Sequence, residues 1–425
     1  MQSAVLGTVE GDGRAGFVDY THSSNATAAS TAHDTTNSSS TAIVKREDSD
    51  TTALGVQDDS AASPFSEAAV EQEPSASTSE QQNQALLEET QQFLEAELQR
   101  IFSSGQITRE RYMSSFTFED PVSRYGDLNG FMTNIRLLRT LFDIRFDLHK
   151  SAINKPMEIV TRWTMTMKVK AAPWRPALTF TGRSYYGVNL STGKLTYQKD
   201  MWDAVADNRF LSVEGVAHVV QQLTSLQTTP SLDTPPYTVL KKTREYEIRK
   251  YKPYLVAETD MPSGSGPAAG DGFNTLAGYI FGGNDKRAKM EMTTPVISTG
   301  GQPGPEGGKM QFPMENKYGG AYGMDVAESG LPNPNSERVV RKLQEGGIIA
   351  ATTFPGLPLD FEVVQAERRL RGALLVDGLK AQEGYRLARY NDPFTLPFLR
   401  RNEVLISLED FELETAERVA WSETR

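Results

Sequence analysis

The chain has 425 residues, a length that suits two or three domains, and its 55 acidic and 44 basic side chains leave a formal net charge of −11. The absence of cysteine excludes disulfides, zinc–thiolate sites, cysteine nucleophiles and thiolate ligation of iron. Residues 1–84 hold thirteen acidic and three basic side chains, so residues 85–425 carry only −1, and a broad nucleic-acid surface is not expected.

Residues 1–84 are expected to be a disordered, acidic, low-complexity tail. HSSNATAAS and PSASTSEQQNQ have too few apolar side chains to offset chain entropy. No basic region followed by an apolar core announces a secretory signal. The segment is Ser/Thr/Ala-rich like plastid transit peptides, yet it is acidic and poor in arginine. GDGRAG (11–16) spells GxGxxG without the strand and helix that would give it meaning. No apolar run approaches the roughly 20 residues of a membrane helix.

Order is expected from Ala85. ALLEETQQFLEAELQRIF puts Leu86, Phe93, Leu94, Leu98 and Ile101 on one helical face. TRERYMSSF reads as a second helix, FTFEDP as a short strand and turn, and DLNGFMTNIRLLRTLFDI as a third helix. IRFDLHKSAIN, MEIVTRWTMTMKVKA, ALTFTGRSYYGVNL and KLTYQKDMWDAV alternate apolar and polar residues as half-buried antiparallel strands do. SVEGVAHVVQQLTSL closes an α+β domain over 85–229. A proline-rich linker at 230–236 leads to a second domain over 237–411, and 412–425 form a C-terminal tail. In that domain YTVLKK, YEIRKYKPYLVAETD, GFNTLAGYIFG and MEMTTPVIS read as strand, strand, helix and strand. GGIIAATTF, DFEVVQAERRLRGALLVDG, YRLARYND and EVLISLE then repeat the theme. This internal duplication predicts a pseudo-symmetric sheet or barrel flanked by two helices.

Residues 270–298, GDGFNTLAGYIFGGNDKRAKMEMTTPVIS, place chemistry close together. Phe273, Leu276, Ala277, Ile280 and Phe281 form an apolar helical stretch ended by Gly282 and Gly283. Lys286, Arg287 and Lys289 follow as a cationic rim, then Met290 and Met292 on a strand. Such a set suits a flat apolar ligand with carboxylates on one edge. On the residues alone it suits better a helix packed on its own sheet beside solvated cations, since amphipathic helices bury their apolar face.

YEIRKYKPYLVAETD, GFNTLAGYIFGGNDKRAKMEMTTPVIS, FPMENKY, GGIIAATTFPG, ERRLRGALLVDG and YNDPFTLPFLRRNEVLISL resemble the SOUL haem-binding protein family over about residues 235–411. The NDPFTLPF…RRNEV ending is similar to its plant and algal branch. RYMSSFTFEDPVSRYGDLNGF and WDAV resemble a domain found beside SOUL domains in plastid proteins, with the pattern of the nuclear transport factor 2-like cone. The resemblance implies a cone-like α+β domain followed by a distorted β-barrel with two helices. It also implies binding of haem or a related porphyrin.

On that reading Phe273, Leu276, Ala277 and Ile280 face the ring, while Lys286, Arg287 and Lys289 meet the propionates. Axial ligation is harder to supply. The four histidines are His22, His33, His149 and His218, none of them in the second domain. Met290, Met292 and Tyr279 remain as alternatives. His149 is expected on the surface. In the first domain Asp120, Tyr125, Arg162, Trp163, Tyr197 and Trp202 are candidates for lining a separate cavity. No catalytic residue is singled out, because GxSxG, P-loop and HExxH patterns are absent. The expected function is reversible porphyrin binding for transport, buffering or delivery in a chloroplast, with the cytoplasm as the alternative location. Rival readings are a ligand-free scaffold with plastid protein partners, or an enzyme that uses the first-domain cavity or acts on bound haem.

Overall fold

The computed structural model describes residues 76–172, 176–225, 227, 229–261, 267–300, 308–318, 326–327 and 329–415. The acidic stretch 1–75 with GDGRAG, His22 and His33, most of the glycine-rich loop at 301–307, and the end at 416–425 lie outside the described residues. The described residues form one compact unit carrying two sheets. None of their helices is long and apolar enough to cross a membrane.

The first helix, α1 (Ala76–Ser104), starts nine residues before the expected boundary at Ala85. It ends where Gly105, at φ +72°, returns its N–H to the Ile101 carbonyl at 2.9 Å. A short 3-10 turn and β1 (Tyr112–Glu119) follow, then β2 (Arg124–Tyr125), so TRERYMSSF is not a helix. Tyr112 and Phe116 are four residues apart, which mimics helical spacing. That spacing suits a strand as well, and on β1 alternation puts Tyr112, Phe116 and Phe118 on one buried face.

Asp127 caps α2 (Leu128–Leu141) by accepting the Gly130 N–H at 2.7 Å. The chain turns straight into β3 (Phe142–Lys155), so Phe142 belongs to the strand and not to the helix. Then come β4 (Glu158–Val169), β5 (Ala177–Asn189), β6 (Lys194–Trp202) and α3 (Val213–Leu223). The strand order is β2-β1-β6-β5-β4-β3, antiparallel except for β1 beside β6. Leu94, Leu98 and Ile101 of α1 and Phe131 and Ile135 of α2 pack with Phe116, Ile159, Tyr186 and Leu195, closing an α+β cone.

The second sheet contains β7 (Tyr237–Lys242), β8 (Glu247–Tyr251), β9 (Tyr254–Asp260), β10 (Val296–Gly300), β11 (Lys309–Pro313), β12 (Val340–Gln344), β13 (Gly347–Phe354), β14 (Lys380–Ala381), β15 (Tyr385–Arg389) and β16 (Asn402–Glu409). Two helices accompany it, α4 (Pro267–Ile280) and α5 (Asp360–Val376). Along the order β12-β9-β11-β10-β15-β16-β13-β8-β7, the unit β9-α4-β10-β11 mirrors β13-α5-β15-β16 across the β10–β15 seam. The expected duplication is therefore visible as a two-fold repeat. The sheet does not close: β12 and β7 are its edges, and the barrel is a curled half-barrel. α4 covers one half of one face and α5 the other, each over its own apolar cluster.

Strand β7 also joins the two sheets. Thr164 of β4 donates to the Val239 carbonyl at 2.6 Å, and the Lys242 N–H donates to the Thr181 hydroxyl at 2.7 Å.

Candidate functional site

Helix α4 ends in a glycine stop. The Gly283 N–H bonds the Gly278 carbonyl at 2.8 Å, and Gly282 sits at φ +111°, where a side chain would be strained. Asn284, 1 % exposed, then organises the loop. Its amide donates to the Tyr279 and Ala288 carbonyls and its oxygen accepts the Ala288 N–H. This residue was not singled out from the sequence, and its position directly after the glycine pair was the available signal. The locked loop displays Lys286, Arg287 and Lys289, all exposed, with Lys286 3.2 Å from the Gly330 carbonyl.

Leu276 and Ile280 do not face outward. Both are fully buried against Leu255, Met310 and Phe312. Burying each stabilises the fold by about 1.5–3 kcal/mol, which outweighs keeping them free for a ligand. The outer face of the helix is Phe273 at 38 % exposure, half-buried Ala277 and Phe281 at 57 %, spaced i, i+4, i+8 beside the cationic loop. Phe273 is steadied edge-on by Phe312 at 5.2 Å between ring centroids.

The methionines are not on a strand. Residues 290–295 are irregular, with a cis Thr294–Pro295 bond, and β10 starts only at Val296. The segment is held by side chains: Thr293 donates to the Pro313 carbonyl and Thr294 to the Tyr390 carbonyl. Met290 is 5 % exposed in the α4 core, and Met292 is half-buried against it. Tyr279 is equally committed. It donates to the Pro332 carbonyl at 2.8 Å, and burial pushes its phenol up to about 12. His149 and His218 both lie in the cone. No group of three potential metal ligands exists among the described residues. The set fits a porphyrin's ring and carboxylates, and it does not fit a fixed iron ligand.

The opposite face of the half-barrel is already satisfied. Arg249 and Arg401 both bind Glu403, whose neighbouring guanidiniums hold its carboxyl far below the usual range against the burial that opposes them. A cavity beneath Thr234 and Pro235, lined by Tyr237, Tyr251, Tyr254 and Tyr390, offers about 10 Å³, room for one water and not for a porphyrin.

In the cone, the expected lining residues divide. Arg162 points outward and pairs with Asp203, Nη1 to Oδ1 at 2.7 Å, and Tyr197 points outward to Glu158 at 2.7 Å. Their strand parity is opposite to that of Trp163 and Trp202, which are buried inside. Asp120 is held in a turn by the Val122 and Ser123 N–H groups and the Ser123 hydroxyl. His149 is not a surface residue. It is half-buried under β7, with Nε2 2.7 Å from the Thr164 hydroxyl, and burial lowers its pKa. His218 is 3 % exposed, contacts Gln222, and is pushed down to about 4 by burial. Missed from the sequence is Asp200. It faces inward, accepts from the Ser184 hydroxyl at 2.6 Å and the Gln198 amide at 2.9 Å, and is pushed up to about 7 by desolvation.

The described residues thus carry an α+β cone followed in the chain by a curled half-barrel with two helices. Residues 232–407 match the model of a family described as SOUL heme-binding protein. Residues 88–196 match a family described as an uncharacterized conserved protein (DUF2358). No curated protein matches the chain. Similar solved structures include an NTF2-like protein of unknown function from Exiguobacterium sp. 255-15, 16% identical over 27% of this chain and 99% of that one, TM-score 0.23. Another is a putative SnoaL-like polyketide cyclase from Shewanella denitrificans OS-217, 14% identical over 32% and 97%, TM-score 0.25. An uncharacterized conserved protein from Listeria innocua is 10% identical over 39% and 93%, TM-score 0.29.

Proposed function

We propose that the chain binds haem or a related porphyrin reversibly and without a covalent link. The ring lies over Phe273, Ala277 and Phe281 on the outer face of α4, and its propionates reach Lys286, Arg287 and Lys289. The observation that supports this reading is the exposed aromatic stripe beside a locked cationic loop, within a domain of a heme-binding family. Leu276, Ile280 and Met290 form the floor under the helix and keep the stripe in place. An exchangeable ligand held by packing and charge suits a carrier or buffer of tetrapyrroles. A plastid setting is part of the proposal; the plant-like NDPFTLPF…RRNEV ending supports it.

Haemin and protoporphyrin IX titrations of the full chain, followed in the Soret band, test this. Both are expected to saturate one site. Phe281→Asp, and separately Lys286→Glu with Arg287→Glu, should weaken both ligands at least about tenfold, or about 1.4 kcal/mol. Binding of neither ligand would sink the reading and favour a ligand-free scaffold, and binding indifferent to these changes would move the site away from α4.

A further inference from the structure

The two helices of the half-barrel leave a strip between them. α4 lies over β9 and β11, and α5 over β13 and β16, so the β10–β15 pair runs between the two. The helix-side residues of that pair are Val296 and Ser298 on β10 and Tyr385, Leu387 and Arg389 on β15, because Ile297 and Ala388 belong to the opposite face. Val296 joins the apolar cluster under α4, and Tyr385 and Leu387 join the one under α5. Val296, Tyr385, Leu387 and Arg389 stay half-buried, and Ser298 is buried. Helices centred four strand spacings apart stand about 19 Å from each other, and their width of about 10 Å leaves a groove about 9 Å across. From Tyr385 to Arg389 its floor runs about 13 Å.

One end of the groove carries a charge without a counter-charge. The Arg389 guanidinium makes a single hydrogen bond among the described residues, from Nη2 to the Ser298 hydroxyl. Its Nε is buried without a partner, and it forms no ion pair with a described residue. Burial lowers its pKa, and no neighbouring charge acts against that. The Ser298 hydroxyl, having accepted one bond, still has a proton to give. On the opposite face, by contrast, Arg249 and Arg401 share the Glu403 carboxylate. A buried guanidinium is costly unless an anion meets it. The acids that reach the groove do so at its other end. After burial, Glu367 and Asp360 of α5 raise the pKa of Tyr385, and Glu367 already pairs with Arg371.

We propose that the groove between α4 and α5 is a second binding site, for a long-chain carboxylic acid whose carboxylate meets Arg389 and Ser298 and whose chain lies over Leu387 and Val296 toward Tyr385. One guanidinium matches one carboxylate, and its planar fork can give that carboxylate two parallel N–H bonds. The serine hydroxyl adds a further donor. A single charged anchor beside valine, leucine and tyrosine is the lining that a mostly apolar ligand with one polar end requires. A strip about 9 Å across takes an extended chain more readily than a macrocycle lying flat on the sheet. Charge sets the direction of the ligand. A carboxylate at the Tyr385 end would face Asp360 and Glu367, and like charges repel. The site is separate from the porphyrin reading, which uses Phe281 and the cationic loop.

The test titrates the full chain with dansylaminoundecanoic acid, whose emission rises and shifts to the blue in apolar surroundings, and with its methyl ester. Saturable binding of the acid is expected, and the uncharged ester should bind at least about tenfold more weakly, or about 1.4 kcal/mol. Dodecanoic acid should displace the probe, and dodecanol should do so far less. Arg389→Gln should remove the preference for acid over ester, and Arg389→Lys should keep part of it. Leu387→Glu, which puts a carboxylate on the floor of the groove, should abolish binding of the acid. A thermal melt checks that each variant is folded. Absence of saturation in the wild type, equal binding of acid and ester, or a preference that survives in folded Arg389→Gln overturns the proposal. Displacement of the probe by haemin, together with loss of haemin binding in Arg389→Gln, would also overturn it by giving the groove to the porphyrin. A failed haemin titration leaves the acid's result standing, because that titration reads Phe281 and Lys286, which the groove does not use.

Discussion

Arg249 and Glu403 meet on the face of the half-barrel opposite its helices in a two-pronged pair, Nη1 to Oε2 at 2.7 Å and Nη2 to Oε1 at 2.8 Å. Their side chains are 1 % and 0 % exposed. Tyr390 donates to the same carboxylate at 2.8 Å, Arg401 adds a second guanidinium, and the Tyr237 ring lies 4.6 Å from the Arg249 guanidinium carbon. Arg249, Arg401 and Glu403 satisfy one another, so this part of the face is a structural network. Removing one member leaves a buried charge uncompensated. Glu403→Gln is expected to destabilise the chain by about 3–5 kcal/mol, read from the midpoint of a urea melt.

The same network sets the acid limit of stability. The folded pKa of Glu403 lies below its unfolded value, and that of Glu247 is lowered to about 2 by Lys242 and Arg249 against its own desolvation. Both therefore contribute stability that is complete above the unfolded value of 4.5 and is lost as pH falls through the folded values. Stability should drop steeply below about pH 4.5, and Glu403→Gln should flatten that slope. A slope unchanged by the substitution would show that other carboxylates govern acid unfolding.

Asp200 acts in the opposite sense. Its folded value, raised to about 7 from 3.8, makes its contribution complete below the unfolded value and lost as pH rises through about 7. The loss is at most about 1.4 kcal/mol per pH unit for one proton. Asp200→Asn should therefore melt higher than the wild type at about pH 8.5, with the difference narrowing toward about pH 4. A difference that does not vary with pH would place the native carboxyl in an ordinary, ionised state.

Much of this architecture was legible, and the failures have physical causes. The apolar faces of α1 and α2, the alternation of β3 to β6 and the duplicated strand-helix pattern depend on local periodicity, which a single sequence carries. β12 was missed because VRKLQ is mostly polar and is recruited by pairing with β9. The methionine segment was misread because MEMTTPVIS alternates like a strand, while the bonds that fix Thr293 and Thr294 come from residues 20 and 96 positions away. On α4 the sequence showed one amphipathic face but not which part would be sealed: Leu276 and Ile280 went to the core and Phe281 to the surface. Asp200 carried no local signal, because it reads as one polar residue on an alternating strand. Only the closure of the cone by α1 and α2 makes it an interior acid.

Two methionine substitutions separate packing from ligation. Met290 fills the core beneath α4, so Met290→Ala should cost about 2–5 kcal/mol, measured by denaturant melt. Under conditions where the variant remains folded, the haemin Soret maximum should stay in place. Half-buried Met292 should behave similarly with a smaller cost. A Soret shift in either variant would assign that thioether to the iron and replace the packing-and-charge account of α4.

The junction between the sheets gives a last expectation. Arg162 and Asp203 are 3 % and 6 % exposed, and Asp203 also accepts from the Thr181 hydroxyl. That hydroxyl accepts the Lys242 N–H, so the pair orients the group that grips β7. Asp203→Asn leaves Arg162 without its counter-charge and should cost about 3–5 kcal/mol. Thr181→Val removes only the grip and should cost about 1 kcal/mol. In hydrogen exchange both changes should speed the amides of residues 237–242, while those of β13, deep in the second sheet, stay slow. Uniform acceleration across both sheets would mean that the cone and the half-barrel open only together, with β7 as part of a single cooperative unit.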